Sequence, residues 1–137
     1  MGDAEVVKLL LDTHIWLWSL IAPARLTERV ALALTDRSNE LWLSPISTWE
    51  LLVLVEKGRV VLDTEPAVWV RKVFRTLRFN EASLNHEVAI HSRRVNLAHA
   101  DPADRFLAAT AVVYDLTLVT ADERLLGSRS YAVLANK

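Results

Sequence analysis

Short apolar runs alternate along the chain with longer stretches in which apolar and polar positions mix. Val6 to Leu11 is apolar except for one lysine and reads as a strand buried on both faces, as in a parallel sheet. Thr13 to Ile21 follows as a helix. Thr27 caps a second helix in "TERVALALTD", with Glu28 in its favourable first turn. "ELWLS" (Glu40 to Ser44) is the second strand, and "STWELLVLVEKG" is a helix that stops at Gly58. Thr64, Glu65 and Pro66 open a helix that runs to about Leu77. "RFNEA" is a short strand, and Leu84 to Arg93 is helical. Asp101 caps and Pro102 begins the alanine-rich helix "DPADRFLAATAVVYD". "LTLVTAD" is the next strand and "SYAVLA" an edge strand. Strands alternating with helices predict an α/β domain, with a mostly parallel sheet, helices on both faces and right-handed crossovers.

Composition narrows the chemistry. The 137 residues suit one domain, residues 1–137, with one core. A hydrophobic share of 52% argues against disorder. The formal net charge of -1 supplies no global attraction to polyanions, so any RNA contact needs a local basic cluster. Absence of cysteine removes disulfides, thiolate zinc sites and cysteine nucleophiles. Gly-rich phosphate loops are missing, as is the serine-hydrolase elbow. Leu9 to Ala22 is interrupted by Asp12 and His14, so it reads as neither a signal peptide nor a membrane span. The expectation is a cytoplasmic protein with no membrane association.

Sites in open α/β sheets form beyond the carboxyl ends of the strands. Asp12 ends the first strand, and Glu50 lies six residues beyond Ser44. Asp104 is in the first turn of the helix begun by Pro102, and Asp122 lies just past Thr120. Each acid also has a local explanation. Asp12 and Asp122 fit helix caps, Asp104 suits the helix dipole, and Ser47-Thr48-Trp49-Glu50 fits a capping box. Together they mean more. Like charges about 5 Å apart repel by roughly 3 kcal/mol at an effective dielectric of 20. Four gathered carboxylates therefore need a counter-charge. An all-oxygen donor set suits Mg²⁺, or Mn²⁺ in its place, and favours metal-assisted attack of water on a phosphodiester.

"LLLDTHIWLW", "SPISTWELLVLVEKGRV" and "HADPADRFLAATAVVYDLTLVTADERL" resemble successive motifs of PIN-domain proteins, and more closely those of VapC-type toxins. The resemblance covers nearly the whole chain. It implies a three-layer α/β/α sandwich and a Mg²⁺- or Mn²⁺-dependent endoribonuclease, the toxin of a toxin–antitoxin pair. It also implies a homodimer, or a larger toxin–antitoxin assembly, neutralised by a cognate VapB-type antitoxin. The acidic set carried over is Asp12, Glu50, Asp104 and Asp122, with Asp12, Asp104 and Asp122 at the metal. Thr120 matches the hydroxyl residue beside the last acid. Asp101 matches an additional acidic position and is either a supporting group or a helix cap. Arg105 reaches the site or a phosphate, or else pairs with Asp101.

Other readings remain. A PIN-fold module could bind a partner without cutting RNA, or the nuclease could act on single-stranded DNA or structured RNA. A haloacid-dehalogenase phosphatase would need a second aspartate where His14 stands. His14 and His99 are candidate rim contacts. Basic candidates for RNA are Arg71, Lys72, Arg75 and Arg78 on one helix, and Arg93 and Arg94 on another. Trp16, Trp49 and Trp69 are candidates for a groove that takes an antitoxin segment.

Overall fold

Leu9, Leu10 and Leu11 are consecutive and all buried, which requires a strand covered on both faces. The computed structural model describes residues 6–97 and 101–137. Its five strands are β1 (Lys8–Leu11), β2 (Glu40–Leu43), β3 (Asn80–Glu81), β4 (Thr117–Thr120) and β5 (Val133–Ala135). They form one sheet in the order β3-β2-β1-β4-β5, with every pairing parallel. Helices α1 (Thr13–Ile21), α2 (Glu28–Thr35), α3 (Pro45–Glu56) and α4 (Pro66–Thr76) lie in the first half of the chain. Helices α5 (His86–Ser92), α6 (Pro102–Tyr114) and α7 (Glu123–Leu126) lie in the second.

The period of two within the strands sorts the core into layers. Leu9, Leu11 and Val119 pack with Ile15, Trp16, Val30, Leu51, Val70 and Val73 from α1 to α4. Leu10 and Leu118 point the other way, toward Leu107 and Ala111 of α6 and Leu125 of α7. Small residues Ala108 and Ala109 let α6 pack closely on α5, against Val88. The α/β expectation and its helix–sheet–helix layers are met.

Boundaries moved where tertiary burial outweighed pattern. Val6 and Val7 are 53% and 40% exposed, and β1 begins only at Lys8. Helix α3 starts at Pro45 with Ser44 as its cap, whose side chain accepts from the Ile46 amide. The capping box expected at Ser47 is therefore not a cap: Ser47 is inside the helix and fully buried. Helix α3 ends in a Schellman motif, with Gly58 N–H donating to Val55 and Arg59 N–H to Leu54. Gly58 sits there at φ 71, where a side chain would be strained.

Chain order reverses between β1, the central strand, and its neighbour β4. The carboxyl ends of these strands flank a crevice of the kind that holds ligands in open α/β sheets. Asp12 and Thr120 lie there.

Candidate acidic cleft

Asp12 is the residue at which β1 becomes α1. Its amide donates to the Val119 carbonyl and its carbonyl accepts from Trp16, so the backbone is fixed from both sides. Its side chain makes no helix cap. Instead the carboxylate accepts a 2.6 Å hydrogen bond from the Thr120 hydroxyl, which in turn accepts from the Asp122 amide. Asp12 is 9% exposed, and burial raises its pKa despite the Thr120 bond.

Glu50 reaches the same place from α3. The Thr13 hydroxyl lies 2.6 Å from Glu50 Oε1 and 3.1 Å from the buried Ser47 hydroxyl. The first turn of α1 therefore holds the second turn of α3. Burial pushes the Glu50 carboxyl up to about 7, with the charges of Asp12, Asp104 and Asp101 adding to the shift. Unfolded, the same group titrates near 4.5. Between these values the folded state holds the extra proton, so its contribution to stability is complete at low pH and is lost as pH rises through about 7. Asp12 acts in the same direction. Thermal melts in EDTA are expected to rise as pH falls from about 8 to 5.5, and Glu50→Gln is expected to reduce that slope. An unchanged slope would show that Glu50 is not strained in this way.

Asp104 is 8% exposed in the first turn of α6. Asp101 does cap that helix, accepting from the Asp104 amide at 3.2 Å, and it also lines the cleft. Asp122 likewise caps α7 through the Arg124 amide. Arg124 folds back to sit 3.0 Å from Asp122 Oδ2 and 3.5 Å from Asp104 Oδ2. Sequence reasoning did not single out Arg124, and its only signal was a place two residues after Asp122. It missed Thr13 and Ser47 too, since a contact across 37 residues leaves no local trace.

One cleft of about 340 Å³ is lined by Asp12, Glu50, Asp101, Asp104, Asp122 and Arg124, with exposed His14 at its wall. All four expected acids are thus brought together, and Thr120 lies buried beside them. Arg105 has a different position. Its guanidinium donates to the carbonyls of Ser92 and Val95, tying α6 to the end of α5, and the cation lining the cleft is Arg124. His99 lies outside the described residues. Trp16 is completely buried, which corrects its candidacy for a partner groove; Trp69 packs against the same core, and Trp49 is 55% exposed. Arg71, Lys72, Arg75 and Arg78 are exposed on and just after α4, and none lines the cleft.

Among the described residues no three of these groups stand close enough to form a ready-made chelate. The donors still fit a hard cation. All are oxygens, two come from buried carboxylates, and Mg²⁺ keeps most of its waters while using one or two carboxylates. Zinc favours several nitrogen or sulfur donors, and among the described residues the cleft offers only His14 at its wall.

The family model described as the PIN domain matches residues 9–127. The chain is 32% identical over 127 residues to "Ribonuclease VapC22" of Mycobacterium tuberculosis (strain ATCC 25618 / H37Rv), covering 90% of this chain and 94% of that protein. Its fold is similar to that in the crystal structure of VapBC2 from Rickettsia felis bound to a promoter DNA fragment. There the TM-score is 0.69 at 15% identity, over 94% of this chain and 98% of that one. It is also similar to FitAcB from Neisseria gonorrhoeae, with a TM-score of 0.63 at 23% identity, over 93% and 97%. No helix among the described residues is long and apolar enough to cross a membrane.

Proposed function

The chain belongs to the PIN-domain family, and from that premise we propose that it is a VapC-type toxin, a Mg²⁺- or Mn²⁺-dependent endoribonuclease. The observation that carries this reading is the gathering of Asp12, Glu50, Asp104 and Asp122 in one cleft at the crevice between β1 and β4. The relative named a ribonuclease and the neighbours crystallised as VapBC and FitAB complexes support it. They also support a cognate VapB-type antitoxin as partner; a toxin homodimer within that assembly is part of the proposal.

Asp12 and Asp104 would hold the principal ion, with Asp122 joining directly or through water. When bound, the ion supplies Lewis-acid polarisation of the phosphodiester and a more acidic water. Thr120 fixes the Asp12 carboxylate by its 2.6 Å bond, so this ligand needs no reordering. Glu50, held by Thr13, orients the attacking water and accepts its proton. With an ion held nearby, the Glu50 carboxyl would be drawn back down from about 7 and so be ionised and able to act as the base. Water oxygen bonds to phosphorus, the bond to the 3′ oxygen breaks, and that oxygen takes up a proton. The products are a 5′-phosphate and a 3′-hydroxyl.

A second reading, a silent PIN-fold binding module, draws on Arg124. This residue already supplies a cation to Asp104 and Asp122. Cleavage itself separates the two, and the chemistry of the cut ends tests the nuclease mechanism. The nuclease reading predicts 5′-phosphate and 3′-hydroxyl ends, and cleavage that survives a 2′-deoxy substitution at the scissile nucleotide. Ends carrying a 2′,3′-cyclic phosphate would mean attack by the ribose hydroxyl and would remove the need for these carboxylates. Folded protein that leaves RNA intact in both Mg²⁺ and Mn²⁺ would favour the binding module.

A further inference from the structure

The acidic cleft continues along α3 into a second hollow. Its shared walls are His14, Glu50 and Asp101, and its far end is formed by Lys57 and Arg59. Glu50, Leu54 and Lys57 are spaced four and three residues apart, which puts them on one face of α3. Lys57 is thus about 10 Å from Glu50 along the helix axis. That is about one Debye length at physiological salt, so this positive charge does not neutralise the acids and is free to hold a separate anionic group. The Schellman motif at Gly58 fixes the backbone of both basic residues. Trp49, one residue before Glu50 on α3 and 55% exposed, lines the same hollow. On its other side lies an apolar hollow lined by Phe106 and Leu84.

Two exposed cations also suit the negative end of α3, and that is a sufficient reason for a basic residue there. It does not explain a solvent-exposed tryptophan in the same hollow, which opens on the acidic cleft. Exposed aromatic faces next to basic residues are how proteins hold single-stranded nucleic acid: bases stack and phosphates pair. Duplex RNA offers no unstacked base for such a platform.

We propose that a single-stranded segment of the RNA leaves the acidic cleft along α3, with backbone phosphates on Lys57 and Arg59 and a base stacked on Trp49. This subsite rests on the nuclease reading for its substrate, and its test does not depend on cleavage. Anisotropy of a short labelled single-stranded RNA of mixed sequence is measured in EDTA, against a duplex of the same strand. Lys57→Ala/Arg59→Ala is expected to weaken single-strand binding at least tenfold and to reduce the salt slope by about 1.4, at roughly 0.7 per phosphate contact. Trp49→Ala is expected to weaken it roughly tenfold, with Trp49→Phe recovering most of the loss. In Mg²⁺ the same variants should raise KM and leave kcat unchanged. All three positions are exposed, so melting temperatures should hold.

Variants that bind RNA like the wild type while cleavage proceeds would overturn the subsite and leave the nuclease intact. Variants that lose binding in a protein that never cuts RNA would support the subsite and overturn the nuclease reading. Unchanged RNA affinity with loss of the co-expressed antitoxin would assign the surface to the protein partner, and that too would overturn the proposal.

Discussion

Replacing Asp12 by Asn is expected to lower RNA cleavage by about 10³-fold, equivalent to roughly 4 kcal/mol of transition-state stabilisation. The fold should survive. Asn keeps an acceptor for the Thr120 hydroxyl and a neutral group where burial disfavours a charge. In EDTA at alkaline pH the variant should therefore melt at or above the wild-type temperature, because the wild type carries a buried carboxylate there. Loss of activity together with a gain in metal-free stability is a signature that a merely structural aspartate would not give. A variant that melts lower and cleaves in proportion to its folded fraction would make Asp12 a structural residue.

The second large effect is on stability. Trp16→Ala is expected to cost about 3–5 kcal/mol, a large part of the 5–15 kcal/mol typical of a whole domain. Trp16 is fully buried and its ring lies 5.8 Å from that of Trp69 and 6.3 Å from that of Phe74, so it joins α1 to α4. The variant should melt at least about 10 °C lower. Trp16→Phe should cost less than its lost volume suggests. The Trp16 indole N–H is buried with no hydrogen-bond partner among the described residues, and phenylalanine removes that orphan donor. Denaturant unfolding of both variants, beside Trp49→Ala, tests this. A Trp16→Ala protein as stable as Trp49→Ala would contradict the burial assigned here.

Much of this was legible because it is local. The strand of leucines before Asp12, the Thr27 cap, Glu65-Pro66 and Asp101-Pro102 are decided by neighbours in sequence, and each element formed close to where its pattern predicts. The four acids were legible because strand ends can be read from apolar runs, and strand ends are where crevices form. The start of α3 was misjudged because Ser44-Pro45 and Ser47-Thr48-Trp49-Glu50 both signal an N-terminus. Tertiary structure chose the first and gave Ser47 and Glu50 to Thr13. The tryptophans could not be sorted from sequence, since α1 and α3 are apolar nearly all round and periodicity offers no inner face. That Arg124, and not Arg105, lines the cleft could not be read from sequence for a similar reason. A long basic side chain goes to whichever carbonyl or carboxylate the fold brings near, and that is settled by packing.

The central claim is that this cleft cuts RNA with a divalent ion. Its most direct test is incubation of the free, antitoxin-stripped protein with a labelled pool of cellular RNA in Mg²⁺, beside EDTA and the Asp12→Asn variant. The account predicts discrete cuts that disappear in both controls. Cleavage that persists in EDTA, or that Asp12→Asn performs at the wild-type rate, would contradict it.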